Sequence, residues 1–391
     1  MKERYLLANV KADLKNKMVF IGGPRQVGKT TMSKVVGKNY FKKSAYLNWD
    51  NYDDRKMIEK NDLPADSDLI IFDEIHKYRR WKNYVKGVFD KNKENSKIIV
   101  TGSARLDLYR RGGDSLLGRY HYYRLHPFSL AELAERKFTV KVLNKINFPE
   151  LKPVDVKNFS DLLTFGGFPE VFLKKNKNDL RRWHNQRKEL LVKQDIRDVE
   201  TIRDLSGLQI LVDILPEKVG SLLSINNLRS DLEINHKTAA LWVDVLENFY
   251  YHFRIYPFTF SKIKSLRKAA KLYLWDWSQV EDPGSRLENM TASHLLKFVH
   301  FLHDAKGYQA ELFFWRDLEG REVDFIVAID KKPWLAIEVK SSQKEVSKNL
   351  LYLGAKINIP FKFQLVSDKN IDIMSKGVRV ISVDKFLGGL V

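Results

Sequence analysis

Short apolar runs alternate with amphipathic stretches through the first third of the chain. Residues 17–22 (KMVFIG), 45–49, 69–72 (LIIF) and 97–101 (KIIVT) read as buried strands, with a further strand over 120–125 before Pro127. Helical patterns separate them, as at 30–36 and 78–90. Strands alternating with helices predict an α/β fold with a parallel sheet covered on both faces. From about Asn158 to Phe249 the pattern is mainly helical, and GGFPE at 166–170 reads as a turn between helices. From Tyr250 strands return, with short ones at 312–315, 322–329 and 334–340, the last two joined by a tight turn at 330–333. Domain boundaries are expected near 150, 205 and 276.

The first loop carries chemistry. Gly23-Pro24-Arg25-Gln26-Val27-Gly28-Lys29-Thr30, followed by Thr31, fits G-x-x-x-x-G-K-[ST] between an apolar strand and a helix. Its glycines let backbone N–H groups close around phosphate oxygens, and the helix N-terminus adds partial positive charge there. Lys29 would reach the β- and γ-phosphates, and the Thr30 hydroxyl would bind Mg²⁺. Asp73, at the tip of LIIFD, is the candidate carboxylate for the same Mg²⁺. Glu74, directly after it, could orient and deprotonate an attacking water. Phosphoryl transfer usually needs an arginine against developing charge. Arg105 and Arg119 are candidates, and Arg119 is preferred because it follows a helical pattern that could project towards a neighbouring copy.

In the middle of the chain, residues 221–258 suggest a short helix, a turn around 233–235 and an amphipathic helix bearing Ala240, Leu241, Val243, Leu246 and Phe249. Strand-like segments at 251–260 and 272–276 flank a loop holding Lys262, Lys264, Arg267, Lys268 and Lys271 with no acid. This is the pattern of a winged helix with a basic wing, which lays one helix in the major groove and the wing along the DNA backbone. The plainer reading is a winged helix that only packs between domains. A second basic stretch, 174–188, has seven Lys or Arg against Asp179, and is expected to be a solvated helix face.

Towards the C-terminus, Asp324 begins one strand and Glu338-Val339-Lys340 ends the next. On a strand Glu338 and Lys340 share a face, and Asp324 can lie beside them across the hairpin. Two carboxylates so placed could bind Mg²⁺, with Lys340 activating water or stabilising a pentavalent phosphate. The set resembles the D…E-x-K signature of restriction-endonuclease-like nucleases, and Glu288 matches the acid such folds often contribute from a first helix. The histidines are scattered with no H-x-x-x-H pair, so His76, His121 and His126 are read as packing or hydrogen-bonding residues.

A strand at 45–49 lies between the phosphate loop and Asp73 in sequence. With Glu74 after the Mg²⁺-binding Asp, this resembles the additional-strand P-loop ATPases, which include the AAA+ proteins. The succession GGPRQVGKTT, LNWD, LIIFDEIH, VTGSARLDL, SLLGR, HPFSLAEL and GGFPEVF resembles a large prokaryotic family. Its members are archaeal-type AAA+ ATPases with a C-terminal domain of uncharacterised function related to restriction endonucleases. The resemblance implies an AAA+-like core over 1–150, a helical segment over 151–205, a winged helix over 206–275 and a restriction-endonuclease-like domain over 276–391. It implies ATP rather than GTP, and a γ-phosphate sensor at Ser103 or Thr101. AAA+ proteins commonly act as hexamers; the sequence itself does not establish a ring.

Composition adds a partner. The 391 residues carry 68 Lys and Arg against 49 Asp and Glu, a net charge of +19 that favours an anionic polymer, most simply DNA. The absence of cysteine excludes disulfides, a thiol nucleophile and Cys-ligated metal. No secretory signal or spanning apolar stretch is evident, so a soluble cytoplasmic protein is expected. The leading expectation is an Mg²⁺-dependent ATPase acting on DNA, whose C-terminal domain grips or cuts it. The alternatives are a nucleotide-operated switch directed at a protein partner, and a nuclease in which ATP is regulatory.

Overall fold

Strands that are apolar on every position have both faces to bury, and two inner strands of the first sheet do so. The structure, a computed structural model, describes residues 3–64, 66–92, 97–102, 116–196, 202, 204–259, 268–342 and 345–391. It divides into two units, Met1–His126 and Pro127–Val391.

In the first unit, β1 (Met18–Gly22), β2 (Ser44–Asn48), β3 (Leu69–Asp73), β4 (Lys97–Thr101) and β5 (Tyr120–Arg124) form a parallel sheet in the order β2-β3-β4-β1-β5. All residues of β1 and β3 are buried, which explains why their sequences do not alternate. The helices Lys29–Tyr40, Tyr52–Lys60 and Trp81–Asn92 connect the strands. The second of these is started by Asn51, whose side chain accepts from the N–H groups of Asp53 and Asp54. Phe20, Phe72, Trp81 and Val85 sit at the centre of the core. The strand that intervenes in sequence, β2, lies at the sheet edge. The strand interposed in space between the phosphate loop and Asp73 is β4. The difference decides the site, because β4 ends on Thr101.

In the second unit, GGFPE is the expected turn: the helix Pro153–Phe165 stops at Gly166 (φ 73°) and the next begins at Pro169. Helices Ile225–Asp231 and His236–Asn248 form the helix-turn-helix pair, with Glu233 left-handed (φ 54°) in the turn and Asn235 capping the second helix through Thr238 N.

Eight strands follow: β6 (His252–Pro257), β7 (Lys271–Leu274), β8 (Ala310–Arg316), β9 (Glu322–Ile329), β10 (Lys332–Lys340), β11 (Phe361–Val366), β12 (Asp372–Ser375) and β13 (Val378–Ser382). They make one mixed sheet in the order β12-β13-β11-β10-β9-β8-β6-β7. The strands expected to border a wing therefore extend the C-terminal sheet, and a boundary at 276 cuts beside a strand of that sheet. The joint is specific. Asn289, fully buried on the helix Pro283–Lys306, accepts from Leu274 N at 2.9 Å and donates to Leu274 O at 2.8 Å. That helix also carries Lys297, buried in an ion pair with Glu132 at 2.6 Å. Among the described residues, no helix is long and apolar enough to cross a membrane.

Candidate functional site

The phosphate loop leaves the C-terminal end of β1. Gly23 has φ 133°, and a Cβ there would lie 2.4 Å from Leu125 O; Gly28 has φ 98° at the start of the helix Lys29–Tyr40. Neither position tolerates a side chain without strain. Gln26 is also left-handed, at φ 63°. Pro24 and Val27 are buried, while Arg25, Gln26 and Thr31 are exposed. Lys29 Nζ donates to Gly23 O at 3.0 Å and Pro24 O at 2.7 Å, folding the lysine across its own loop. Arg4, which the sequence reading did not single out, supports the loop from below, donating to Val27 O at 2.6 Å and to His126 O at 2.5 Å.

Asp73 ends β3 and is only 6% exposed. Three hydroxyls reach it. Thr30 Oγ1 donates to Oδ2 at 2.7 Å, Tyr46 OH to Oδ2 at 2.8 Å, and Thr101 Oγ1 to Oδ1 at 2.5 Å. Burial, then the bond to Asp73, pushes the Tyr46 hydroxyl far above its ordinary pKa, so it remains a donor. Thr101 thus has a position against Asp73, whereas Ser103 and Arg105 lie outside the described residues. Tyr46 carries no motif; the register that pairs Asn48 with Asp73 brings it there. A hydroxyl and a carboxylate facing each other beside a phosphate loop suit Mg²⁺, which keeps several waters and takes one or two protein oxygens together with phosphate oxygens.

Glu74 is a left-handed non-glycine residue, φ 55°, held by Glu74 N donating to Thr101 O at 3.0 Å. Such a conformation costs about 1–3 kcal/mol and persists where its surroundings dictate it. It directs the carboxylate to His76, with Nε2–Oε2 at 3.4 Å. Burial, and next Asp73, raises the Glu74 pKa, while Lys29 opposes the rise. A raised carboxylate is a stronger base once ionised.

Arg119 does not join this group within its own chain. It immediately precedes β5, at the strand ends opposite the phosphate loop, and pairs with Asp90 at 2.9 Å. Much of the basic stretch 174–188 is likewise paired: Lys174 with Glu170, Lys175 with Asp161 and Lys188 with Asp213. Arg187 and His184 turn inward to buried Asp276.

Of the expected wing residues, Lys262, Lys264 and Arg267 lie outside the described residues and Lys268 is exposed. Lys271 is a correction. It begins β7 and is buried at 3% exposure, with its ammonium turned into the C-terminal acidic cluster rather than towards solvent. Nζ lies 2.6 Å from Glu322, 3.5 Å from Glu288 and 3.7 Å from Asp324. Burial works to lower its pKa, but Glu288, Asp324 and Glu322 outweigh it and leave it raised.

The sequence-predicted residues of that cluster do converge. Glu338 lies across the hairpin from Asp324, whose Oδ2 accepts from Val339 N at 2.8 Å. Lys340 Nζ meets Glu338 Oε1 at 2.7 Å. Tyr273 donates to Glu288 at 2.7 Å. Burial, then Asp324, pushes both Glu288 and Glu338 up to about 7. Gln364, paired with Glu338 in register, is a further polar residue of the site; it accepts from Ser347 N at 2.8 Å. These residues do not fit a divalent ion as they stand. Among the described residues, no three His, Asp or Glu side chains are placed to hold one. The two acids expected to hold Mg²⁺ instead lie against lysines, Asp324 3.7 Å from Lys271 and Glu338 2.7 Å from Lys340.

Comparison with known proteins bears most directly on the first unit. Residues 15–134 match the family model of an AAA domain. That match supports an AAA-type ATPase domain around the phosphate loop. Residues 156–280 and 283–386 match two domains of unknown function, DUF8612 and DUF4143. The chain is similar to the uncharacterized protein MJ1544 of Methanocaldococcus jannaschii, 24% identical, over 94% of this chain and 85% of the relative. It is also similar to the uncharacterized protein Rv2008c of Mycobacterium tuberculosis, 21% identical, over 85% of this chain and 72% of the relative. Among solved structures, the RuvB Holliday junction branch migration motor of Thermotoga maritima aligns at 15% identity. That alignment covers 63% of this chain and 84% of RuvB, with a TM-score of 0.30.

Proposed function

We propose that the protein is an Mg²⁺-dependent ATPase that acts on DNA. The observation that carries the ATPase part is the meeting of Thr30, Thr101 and Tyr46 on Asp73, beside Lys29 and Glu74. Lys29 would exchange its two loop carbonyls for the β- and γ-phosphates. Thr30 and Asp73 would hold Mg²⁺, which when bound supplies charge neutralisation on the phosphates. Thr101 and Tyr46 keep the Asp73 carboxylate oriented, and Thr101 also supports Glu74 through its carbonyl. Glu74 would take the proton of the attacking water. Arg119 could serve only the nucleotide of a neighbouring copy, so its part in catalysis requires a homo-oligomer.

The DNA part rests on the charge of +19 and on the helix-turn-helix pair, whose second helix begins with exposed His236 and Lys237. Lys262, Lys264, Arg267 and Lys268 would contact phosphates largely independently of sequence. Duplex DNA is expected to stimulate ATP turnover, and replacing Lys264, Arg267 and Lys268 together with alanine should weaken DNA binding and flatten its salt dependence. DNA binding unchanged by the triple replacement would contradict the wing assignment.

One observation favours a nucleotide-operated switch directed at a protein. Helix His236–Asn248 presents Asp244 and Glu247, which engage Arg254 rather than leaving a basic face. Turnover indifferent to DNA would select that reading.

A further inference from the structure

We propose that Lys271 supplies the cation of the C-terminal acidic cluster, in the place a divalent metal would take, so that the intact chain binds no divalent ion there. The ammonium is held from a fixed base. β7 is clamped on one side by Asn289 and bridged on the other by the segment around 219–222, where Gly220 N donates to Leu272 O at 3.0 Å. From that base Nζ stands among three carboxylates, on Glu288, Glu322 and Asp324, at 2.6–3.7 Å.

Other donors of the same unit also reach these acids, Tyr273 on the Glu288 oxygen that Lys271 approaches. Arg316 serves Glu322 at 3.1 Å, Val339 N serves Asp324, and Lys340 with Ser347 serves Glu338 Oε1. Glu338 Oε2 stands apart. It is buried, on a residue 3% exposed, and has no hydrogen-bond partner among the described residues. A buried carboxylate oxygen without a donor is costly, and a cation could take that position once the ammonium is withdrawn. Glu338 faces Asp324 across the hairpin, so a cation there would draw on both carboxylates.

Lys271 and a metal ion are competitors for the same acids. A divalent ion needs oxygens converging at about 2.0–2.6 Å, closer than an ammonium spaces them. It would also bring two positive charges against the lysine. Removing the ammonium while keeping the chain's apolar stem should release Asp324 and Glu288 to join Glu338 Oε2 around an ion.

The test is Mn²⁺ binding to the full-length, nucleotide-free protein, read by electron paramagnetic resonance. Neither nucleotide nor DNA is present, so its failure and that of the ATPase reading are separable. Wild type and Glu338→Gln should bind the same amount of Mn²⁺. Lys271→Met should gain one bound ion, and the Lys271→Met/Glu338→Gln double variant should lose it. A wild-type ion that disappears in Glu338→Gln would overturn the proposal, as would a folded Lys271→Met protein that gains none. Should Lys271→Met fail to fold, Lys271→Arg retains the positive charge and is expected to take no ion. An ion gained by Lys271→Arg and lost on adding Glu338→Gln would contradict the assignment.

Discussion

The two chemical centres of this chain use the same residue types to different ends. In the N-terminal unit Lys29 bonds two backbone carbonyls, and Asp73 accepts from three hydroxyls. All of these partners are neutral and near the open end of a sheet, so a phosphate and a cation can displace them at small cost. In the C-terminal unit Lys271 is buried directly against carboxylates. There, charge is already balanced by charge, and any incoming cation must first evict an ammonium. A lysine beside acids is therefore not one kind of site: its immediate partners decide whether it awaits a ligand or takes the ligand's place.

The sharpest way to break this contrast is at Lys29. Lys29→Ala should lower ATP turnover by at least about 100-fold, since it removes the phosphate-binding charge at the transition state. Steady-state phosphate release measures this, and turnover within a few fold of wild type would remove Lys29 from the site. Next in size is the stability difference between the two lysines. Lys271→Met leaves buried carboxylates unbalanced and should destabilise its unit by about 3–5 kcal/mol. Lys29→Met removes an ammonium bonded to neutral loop carbonyls rather than to carboxylates, and should cost less, about 1 kcal/mol. Urea unfolding of both variants tests the ordering; equal effects would erase the contrast.

A third expectation concerns pH. The folded pKa of Glu338 is raised to about 7, so the folded state holds a proton that the unfolded state releases near 4.5. Its contribution is full below 4.5 and is lost as pH rises towards 7. Stability of wild type relative to Glu338→Gln should therefore fall across that window, by on the order of 1 kcal/mol per pH unit at most. Comparing the two proteins cancels the opposite trend of buried His252 and His294, whose pKa values burial lowers to about 4 and about 3. A flat difference would contradict the burial assigned to Glu338. The smallest effect belongs to Tyr46. Tyr46→Phe leaves Asp73 two hydroxyl donors and should raise the Mg²⁺ needed for half-maximal turnover several-fold, with a loss of about 1 kcal/mol. No change would make Tyr46 a packing residue only.

Much of this was legible in the sequence, for identifiable reasons. The loop Gly23–Thr30 has fixed spacing because its geometry requires glycine at set positions, and Asp73 and Glu74 follow a strand too apolar to be anything but buried. The pair Glu338 and Lys340 shares a face because strands alternate. Sheet order was not legible: β4, rather than the strand next in sequence, sits between β1 and β3, and only that order brings Thr101 onto Asp73. Lys271 was misread because its neighbours at 262–268 are basic, and charge in a loop looks like charge on a strand. Nothing local signals that Glu288 and Glu322, remote in sequence, enclose it. Asn289, Arg4 and Tyr46 escaped for the same reason, since each acts through a partner far along the chain.

The most direct test of the account is ATP hydrolysis by wild type and Glu74→Gln, with and without duplex DNA, together with the amount of nucleotide bound. Wild type should show DNA-stimulated turnover, and Glu74→Gln should retain ATP binding with turnover reduced by about 10²–10⁴-fold. Turnover unchanged in Glu74→Gln would contradict the role given to the residue that follows Asp73, and with it the reading of this end of the sheet as the catalytic site.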